Sequence, residues 1–291
     1  MFIWPDCIPC ILKMSLGVAR FVMKDESQVL RFMNEILTWK SLRGEEWHVR
    51  SPEIVRDVWI KLREFSNEQD PLKELKEEQN RKALKALPAA REVILKSHDP
   101  FLNALKFAIA GNALDSMTDV TGDSTQSIIE GLDKFVISLE NTHSLRERLE
   151  KSHRLVYLSD NCGEIVFDRL LIEVIKRIYG MKVIMVTRTI PVLNDATLQD
   201  ADSAGLGEVV SLMENGILEP LPSTTLEMVS PEVRELIEES DLVISKGVGN
   251  HDILTEEESL RGKLSFLLHG KCHPCCSFHR VPLGTLIVYN F

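Results

Sequence analysis

The order of apolar and polar positions divides the chain into two textures. From residue 1 to about 150, apolar residues recur at three- and four-residue spacing, as in Ser27 to Trp39, Pro52 to Glu64 and Pro71 to Leu87. That is the period of helices with one buried face. Pro52, Pro71, Pro88 and Pro100 stand where helix starts are expected, because the first turn has no use for the N–H that proline lacks. This half reads as all-helical, with a loop over 122–127 before another helix. From Arg154 onward the pattern changes to short runs rich in Val, Ile and Leu: Leu155–Ser159, Lys182–Val186, Glu208–Met213, Leu242–Ser245, Leu264–Leu268 and Thr285–Tyr289. Continuous apolar strands separated by helical or loop segments predict a mostly parallel sheet covered on both faces. The expected protein is α/β: an all-helical N-terminal domain, 1–150, packed on a Rossmann-like, doubly wound α/β/α domain, 151–291.

Composition narrows the function classes. The 291 residues are 44% hydrophobic and 27% charged, which excludes disorder, and the net charge of −10 argues against a dedicated nucleic-acid binder. No apolar run reaches the ~18 to 20 residues that a bilayer span requires. The opening stretch MFIWPDCIPCILKM lacks the basic-first order of a secretion signal. A cytoplasmic protein with no membrane partner is expected, and its six cysteines are then thiols or metal ligands rather than disulfides. Oligomeric state is not legible.

Candidate chemistry lies where strands end, because ligands of open α/β sheets bind beyond the carboxyl ends of the strands. After the first strand come Asp160-Asn161-Cys162-Gly163-Glu164, and after the second Thr187-Arg188 and then Asn194-Asp195. Asp160, Asn161 and Asp195 are hard oxygen donors suited to a divalent ion such as Mg²⁺ or Mn²⁺, although helix capping would use the same residue types. Lys246-Gly247-Val248-Gly249-Asn250 and Lys271 follow later strands and offer cations to an anionic substrate. Neither a dinucleotide fingerprint nor a P-loop is present. Asn112, beside Gly111 in an apolar helix, would serve a substrate if it faced the crevice, while the small residues there would equally serve close packing. Cys7, Cys10, Cys272 and Cys275 have the spacing of a zinc site or a redox site if the two chain ends meet.

Taken in order, Asp6-Cys7-Ile8-Pro9-Cys10, Ala110-Gly111-Asn112-Ala113, Asp160-Asn161-Cys162-Gly163-Glu164, Pro191-Val192-Leu193-Asn194-Asp195-Ala196-Thr197, Ser245-Lys246-Gly247-Val248-Gly249-Asn250 and Lys271-Cys272 resemble the damage-control phosphatase family, formerly a domain of unknown function, in its stand-alone prokaryotic type. The motifs span nearly the whole chain. The resemblance implies metal-dependent hydrolysis of phosphate monoesters of small metabolites, such as sugar phosphates or damaged phosphorylated cofactor intermediates. It implies a divalent ion, Mg, Mn, Co or Ni, on Asp160, Asn161 and Asp195, and a substrate phosphate facing Lys246, Asn250 and Lys271. Asp160 or Glu164 would then accept a proton from water. Two other readings stay open: a carboxyl methyltransferase using S-adenosylmethionine, weakened by the lack of a glycine-rich first turn, and a zinc-stapled binding module without catalysis.

Charge sharpens the phosphatase expectation. Residues 1–150 carry a net −3 and residues 151–291 a net −7. An acidic crevice attracts a divalent cation and repels free phosphate, so any anionic substrate there needs the metal and local basic groups.

Overall fold

The central strands of the second half bury both of their faces, and the packing shows how. A computed structural model describes residues 1–111, 129 and 131–291. Helices α1 (Cys7–Val22), α2 (Glu26–Ile36), α3 (Ser51–Ser66), α4 (Lys73–Lys96), α5 (Pro100–Ala110) and α6 (Leu139–Glu150) come first. Then follow β1 (Arg154–Leu158), α7 (Glu164–Tyr179), β2 (Lys182–Thr187), α8 (Leu198–Ser203), β3 (Ser211–Glu214), α9 (Pro231–Glu239), β4 (Leu242–Lys246), α10 (Val248–Leu254), β5 (Leu264–His269), α11 (His273–His279) and β6 (Leu286–Asn290). The strands form one sheet of order β3-β2-β1-β4-β5-β6, parallel throughout except for β6, which runs antiparallel to β5.

Side chains alternate across the sheet because successive Cβ atoms point to opposite faces. Leu155 and Tyr157 of β1 and Leu242 and Ile244 of β4 enter one core, shared with α4, α5, α6 and α7. Val156, Leu158, Val243, Phe266 and Leu268 enter a second core on the other face, with Val233 and Ile237 of α9. A third core is built mainly by α1, α2, α3 and their connections, with Val192 from the loop after β2. The first half is therefore divided in its packing. Residues up to Leu72 surround their own core, whereas α4 and α5 are a layer of the sheet.

Gly111 explains how closely that layer packs: a Cβ on it would stand 3.1 Å from the Phe167 ring of α7 and 3.4 Å from the Glu164 Cα. The structure departs from the expected helix starts at Pro88, which lies inside α4. Ala83, Leu87, Ala90 and Ile94 on both sides of it are buried in the sheet's core, and that packing sustains the helix through the lost hydrogen bond. Pro52 and Pro100 do stand in first turns. Among the described residues, no helix is long and apolar enough to cross a membrane.

The helical cap also grips the sheet's loops. Trp59 Nε1 donates to the Pro191 carbonyl at 2.9 Å, Val192 is buried in the cap's core, and Ser51 Oγ donates to Asp252 Oδ2 at 2.7 Å. On the far face, His279 of α11 meets His251 of α10, Nε2 to Nε2 at 3.0 Å, among Phe278 and Tyr289. Burial, with His251 adding to it, depresses the His279 imidazole from 6.5 to about 4. Between those values the unfolded chain binds the proton and the folded chain does not, so this group's contribution to stability is lost as pH falls from 6.5 toward about 4. A His279→Phe variant is expected to show a shallower loss of thermal midpoint over that window, measured by calorimetry at pH 7, 6, 5 and 4.5.

Candidate active site

The strand order reverses at β1, which lies between β2 and β4, so the loops leaving these strands part over its carboxyl end. The first loop must turn at once from β1 into α7. Gly163 makes that turn at φ 79, a conformation glycine adopts without a Cβ penalty. Its N–H donates to Asn80 Oδ1 of α4 at 2.6 Å, and Asn80 Nδ2 donates onward to the Asp200 carbonyl at 3.1 Å. The second loop, after β2, is zipped to the first: Ala196 N donates to the Asp160 carbonyl and Cys162 N to the Asn194 carbonyl, each at 2.8 Å. Asn161 and Asp195 thereby pair as an antiparallel bridge.

This brings Asp160, Asn161 and Asp195 together. Asn161 Nδ2 donates to Asp160 Oδ2 at 2.9 Å, and all three residues are buried. Gly247, at φ +82 after β4, lies directly on the first carboxylate: a Cβ there would fall 2.1 Å from Asp160 Oδ2. Two carboxylates and an amide, converging from adjacent strand ends against a backbone cradle that a side chain would fill, suit a hard divalent ion. Gly247→Ala is accordingly expected to lower stability by about 1–3 kcal/mol through its backbone conformation alone, φ 82 and ψ 151 being a region kept by glycine. It should also displace Asp160, so manganese binding measured by calorimetric titration should weaken with it.

Lys246 stands elsewhere than the sequence suggests. Its ammonium is fully buried and donates to the Ala108 carbonyl at 2.7 Å, to Asp168 Oδ1 at 2.8 Å and to Glu164 Oε1. All three of its hydrogens are thus taken within the sheet–helix layer, which corrects the expectation that it faces a substrate phosphate. The cause is strand parity. β4 continues one residue beyond Ser245, and Lys246 shares the face of Leu242 and Ile244. Burial works against its charge, but Asp168 and Glu164 overcome it and hold the ammonium above its ordinary value. Asp168 is raised by burial to about 6 despite Lys246 beside it, and Tyr157 Oη donates to its Oδ1 at 2.7 Å. Glu164 is buried between Lys246 and Asn161, whose Nδ2 lies 3.5 Å from Oε2.

Asn250 also works inward. Its Nδ2 donates to the Lys246 carbonyl at 2.8 Å and the Ser159 carbonyl at 3.3 Å. Its Oδ1 accepts from Thr224 N at 2.7 Å and Arg188 Nη1 at 3.3 Å. A fully buried amide with those four partners knits strand ends together rather than reaching a ligand. Lys271, after β5, is exposed. Asn112 lies outside the described residues.

The two chain ends do meet, which spacing alone could not decide. The Trp4 ring stands 6.0 Å from that of His273, and Asp6 Oδ2 is 3.9 Å from His273 Nδ1. Cys7, Cys10, Cys272 and Cys275 are free thiols of this region, yet among the described residues no three His, Cys, Asp or Glu side chains gather as a metal-holding group. Burial pushes the Cys272 thiol up to about 11, with Asp252, Cys7 and Cys10 adding to it, and raises Cys275 further. Neutral thiols are poor nucleophiles. Cys162 is raised by burial too.

The strand-end rule singled out Arg188 but gave it no role. It follows β2 and is buried, its Nε donating to Asp195 Oδ2 at 2.7 Å and its Nη1 to Thr224 Oγ1 at 3.0 Å. Asn80 and Thr224 had no such signal, since one is a polar position within a helix and the other lies in a segment without regular structure.

Comparison with known proteins shows the family and the fold. The chain matches the family model of the damage-control phosphatase ARMT1-like domain over residues 3–287. It is 32% identical over 289 residues to an uncharacterized protein of Methanocaldococcus jannaschii, covering 96% of this chain and 92% of that one. It is 30% identical over 299 residues to a damage-control phosphatase of Archaeoglobus fulgidus, covering 99% and 98%. The crystal structure of a DUF89 family protein from Pyrococcus horikoshii superposes with a TM-score of 0.84 at 24% identity, over 100% of this chain and 99% of that one, and so shares the fold.

Proposed function

The chain belongs to the damage-control phosphatase family, and on that premise we propose that it is a metal-dependent phosphatase hydrolysing phosphate monoesters of small metabolites, sugar phosphates or damaged phosphorylated cofactor intermediates. The observation that carries this reading is the convergence of Asp160, Asn161 and Asp195 at the reversal of strand order, with Gly247 laid against Asp160. These three residues would hold Mg²⁺, Mn²⁺, Co²⁺ or Ni²⁺. Such an ion, when bound, supplies a Lewis acid toward a phosphoryl oxygen and lowers the pKa of water.

The chain's own groups divide the remaining work. Asp160, at 7% exposure against 1% for Glu164, is the better placed carboxylate to accept a proton from an attacking water. Glu164 and Lys246, locked to each other, hold the amide of Asn161 and the start of α7 in position. Lys271 brings an exposed positive charge to the rim after β5. An acidic crevice needs such a charge before a phosphate dianion can enter.

A panel of sugar phosphates and phosphorylated cofactor fragments, assayed for released phosphate with each of the four ions, tests the proposal. At least one small monoester is expected to be turned over in an ion-dependent manner. No phosphate from any member, together with methyl transfer from S-adenosylmethionine to a carboxylate, would replace this reading with the methyltransferase.

A further inference from the structure

A guanidinium has five N–H donors, and in a sealed site each one wants an acceptor. Arg188 meets this need on two of its three nitrogens. Nε donates to Asp195 Oδ2 at 2.7 Å, and Nη1 donates to Thr224 Oγ1 at 3.0 Å and Asn250 Oδ1 at 3.3 Å. Among the described residues Nη2 has no partner, although it is buried and the side chain as a whole is only 4% exposed. The side chain leaves the end of β2 and reaches the first turn of α10, after β4. It therefore passes over the carboxyl end of β1, where Asn250 touches the Ser159 carbonyl and Asp160 follows.

We propose that Arg188 binds the phosphoryl oxygens of the substrate through Nη2, while its opposite edge fixes Asp195. The inference rests on the phosphatase reading of this site and supplies the basic group that Lys246, paired with Glu164 and Asp168, does not. A planar fork that keeps one edge on a carboxylate and offers the other to an anion is a geometry that only arginine provides. Arg188→Lys retains a charge for Asp195 and loses the second edge.

The test measures inorganic phosphate binding by calorimetry, in the wild type and in Arg188→Lys, with Mn²⁺ binding titrated in parallel. Phosphate affinity is expected to fall about tenfold or more, the loss of a charge-assisted hydrogen bond, and KM to rise with it while Mn²⁺ affinity stays within about threefold. Unchanged phosphate affinity with weakened Mn²⁺ binding would reduce Arg188 to a support for Asp195 and overturn the inference. A second measurement needs no variant: wild-type crystals soaked in tungstate should show the anion within hydrogen-bond distance of Nη2. An anion bound elsewhere, with Nη2 still unpartnered, overturns it equally. If tungstate sits on Nη2 yet the wild type hydrolyses no phosphate ester, the anion site stands and the phosphatase reading falls.

Discussion

Asp160→Asn is expected to abolish phosphate release while leaving the chain folded. The substitution keeps the size of the side chain and an oxygen to accept from Asn161 Nδ2, and weakening that hydrogen bond costs about 1 kcal/mol. What it removes is a negative charge from the three donors proposed to hold the metal. Losing a Lewis acid is worth several kcal/mol of transition-state stabilisation, about a thousandfold or more in rate. Asp195→Asn would be a poorer probe. Its carboxylate is the buried partner of Arg188, both side chains 4% exposed, so the same change would also unpair a buried guanidinium. The two effects separate in a thermal melt run beside the phosphate assay.

Lys246→Met is expected to fail in a different way, by destabilising the fold. Methionine fits the space, but Glu164 and Asp168 would share one apolar layer with no cation between them, and the Ala108 carbonyl would lose its donor. Removing one partner of a buried ion pair costs about 3–5 kcal/mol. The deficit should shrink as pH is lowered, because Asp168, raised to about 6 by burial even with Lys246 beside it, is raised further without that ammonium and is neutralised by a proton. Denaturant melts of both proteins at pH 5.5 and pH 8 check this. A variant as stable as the wild type with only a raised KM would return Lys246 to the substrate side.

These two residues show how much of the site the sequence revealed. Asp160, Asn161 and Asp195 were legible because hard oxygen donors directly follow long apolar strands, and the carboxyl ends of neighbouring parallel strands lie side by side whatever the intervening helices do. Lys246 was misread because its role depends on a single residue of strand length. Ending β4 at Ser245 puts the lysine in the crevice, whereas ending it at Lys246 puts it in the opposite layer. Asn250 follows the same course, since its four partners come from Ser159, Arg188, Thr224 and Lys246, which no local pattern connects.

For the fold, the alternation of apolar strands with helices led directly to the sheet. The membership of α4 and α5 in the sheet's layer was not legible, since a helix's apolar face does not say which core it enters. Pro88 misled for a related reason: a local rule about helix starts lost to the burial of Leu87 and Ala90 on either side of it. The meeting of Trp4 and Asp6 with His273 is a fact of tertiary structure alone. It places the cysteines in one region, although among the described residues no three His, Cys, Asp or Glu side chains gather as a metal-holding group.

The central claim is that the crevice around Asp160, Asn161 and Asp195 is a metal-dependent phosphatase centre. Its most direct test is phosphate release from a small monoester by chelator-treated protein, before and after Mn²⁺ is returned, in the wild type and in Asp160→Asn. Silence with chelator, recovery with Mn²⁺ in the wild type, and continued silence in the variant are expected. Undiminished release in the presence of chelator, or recovery in Asp160→Asn equal to that of the wild type, would contradict it.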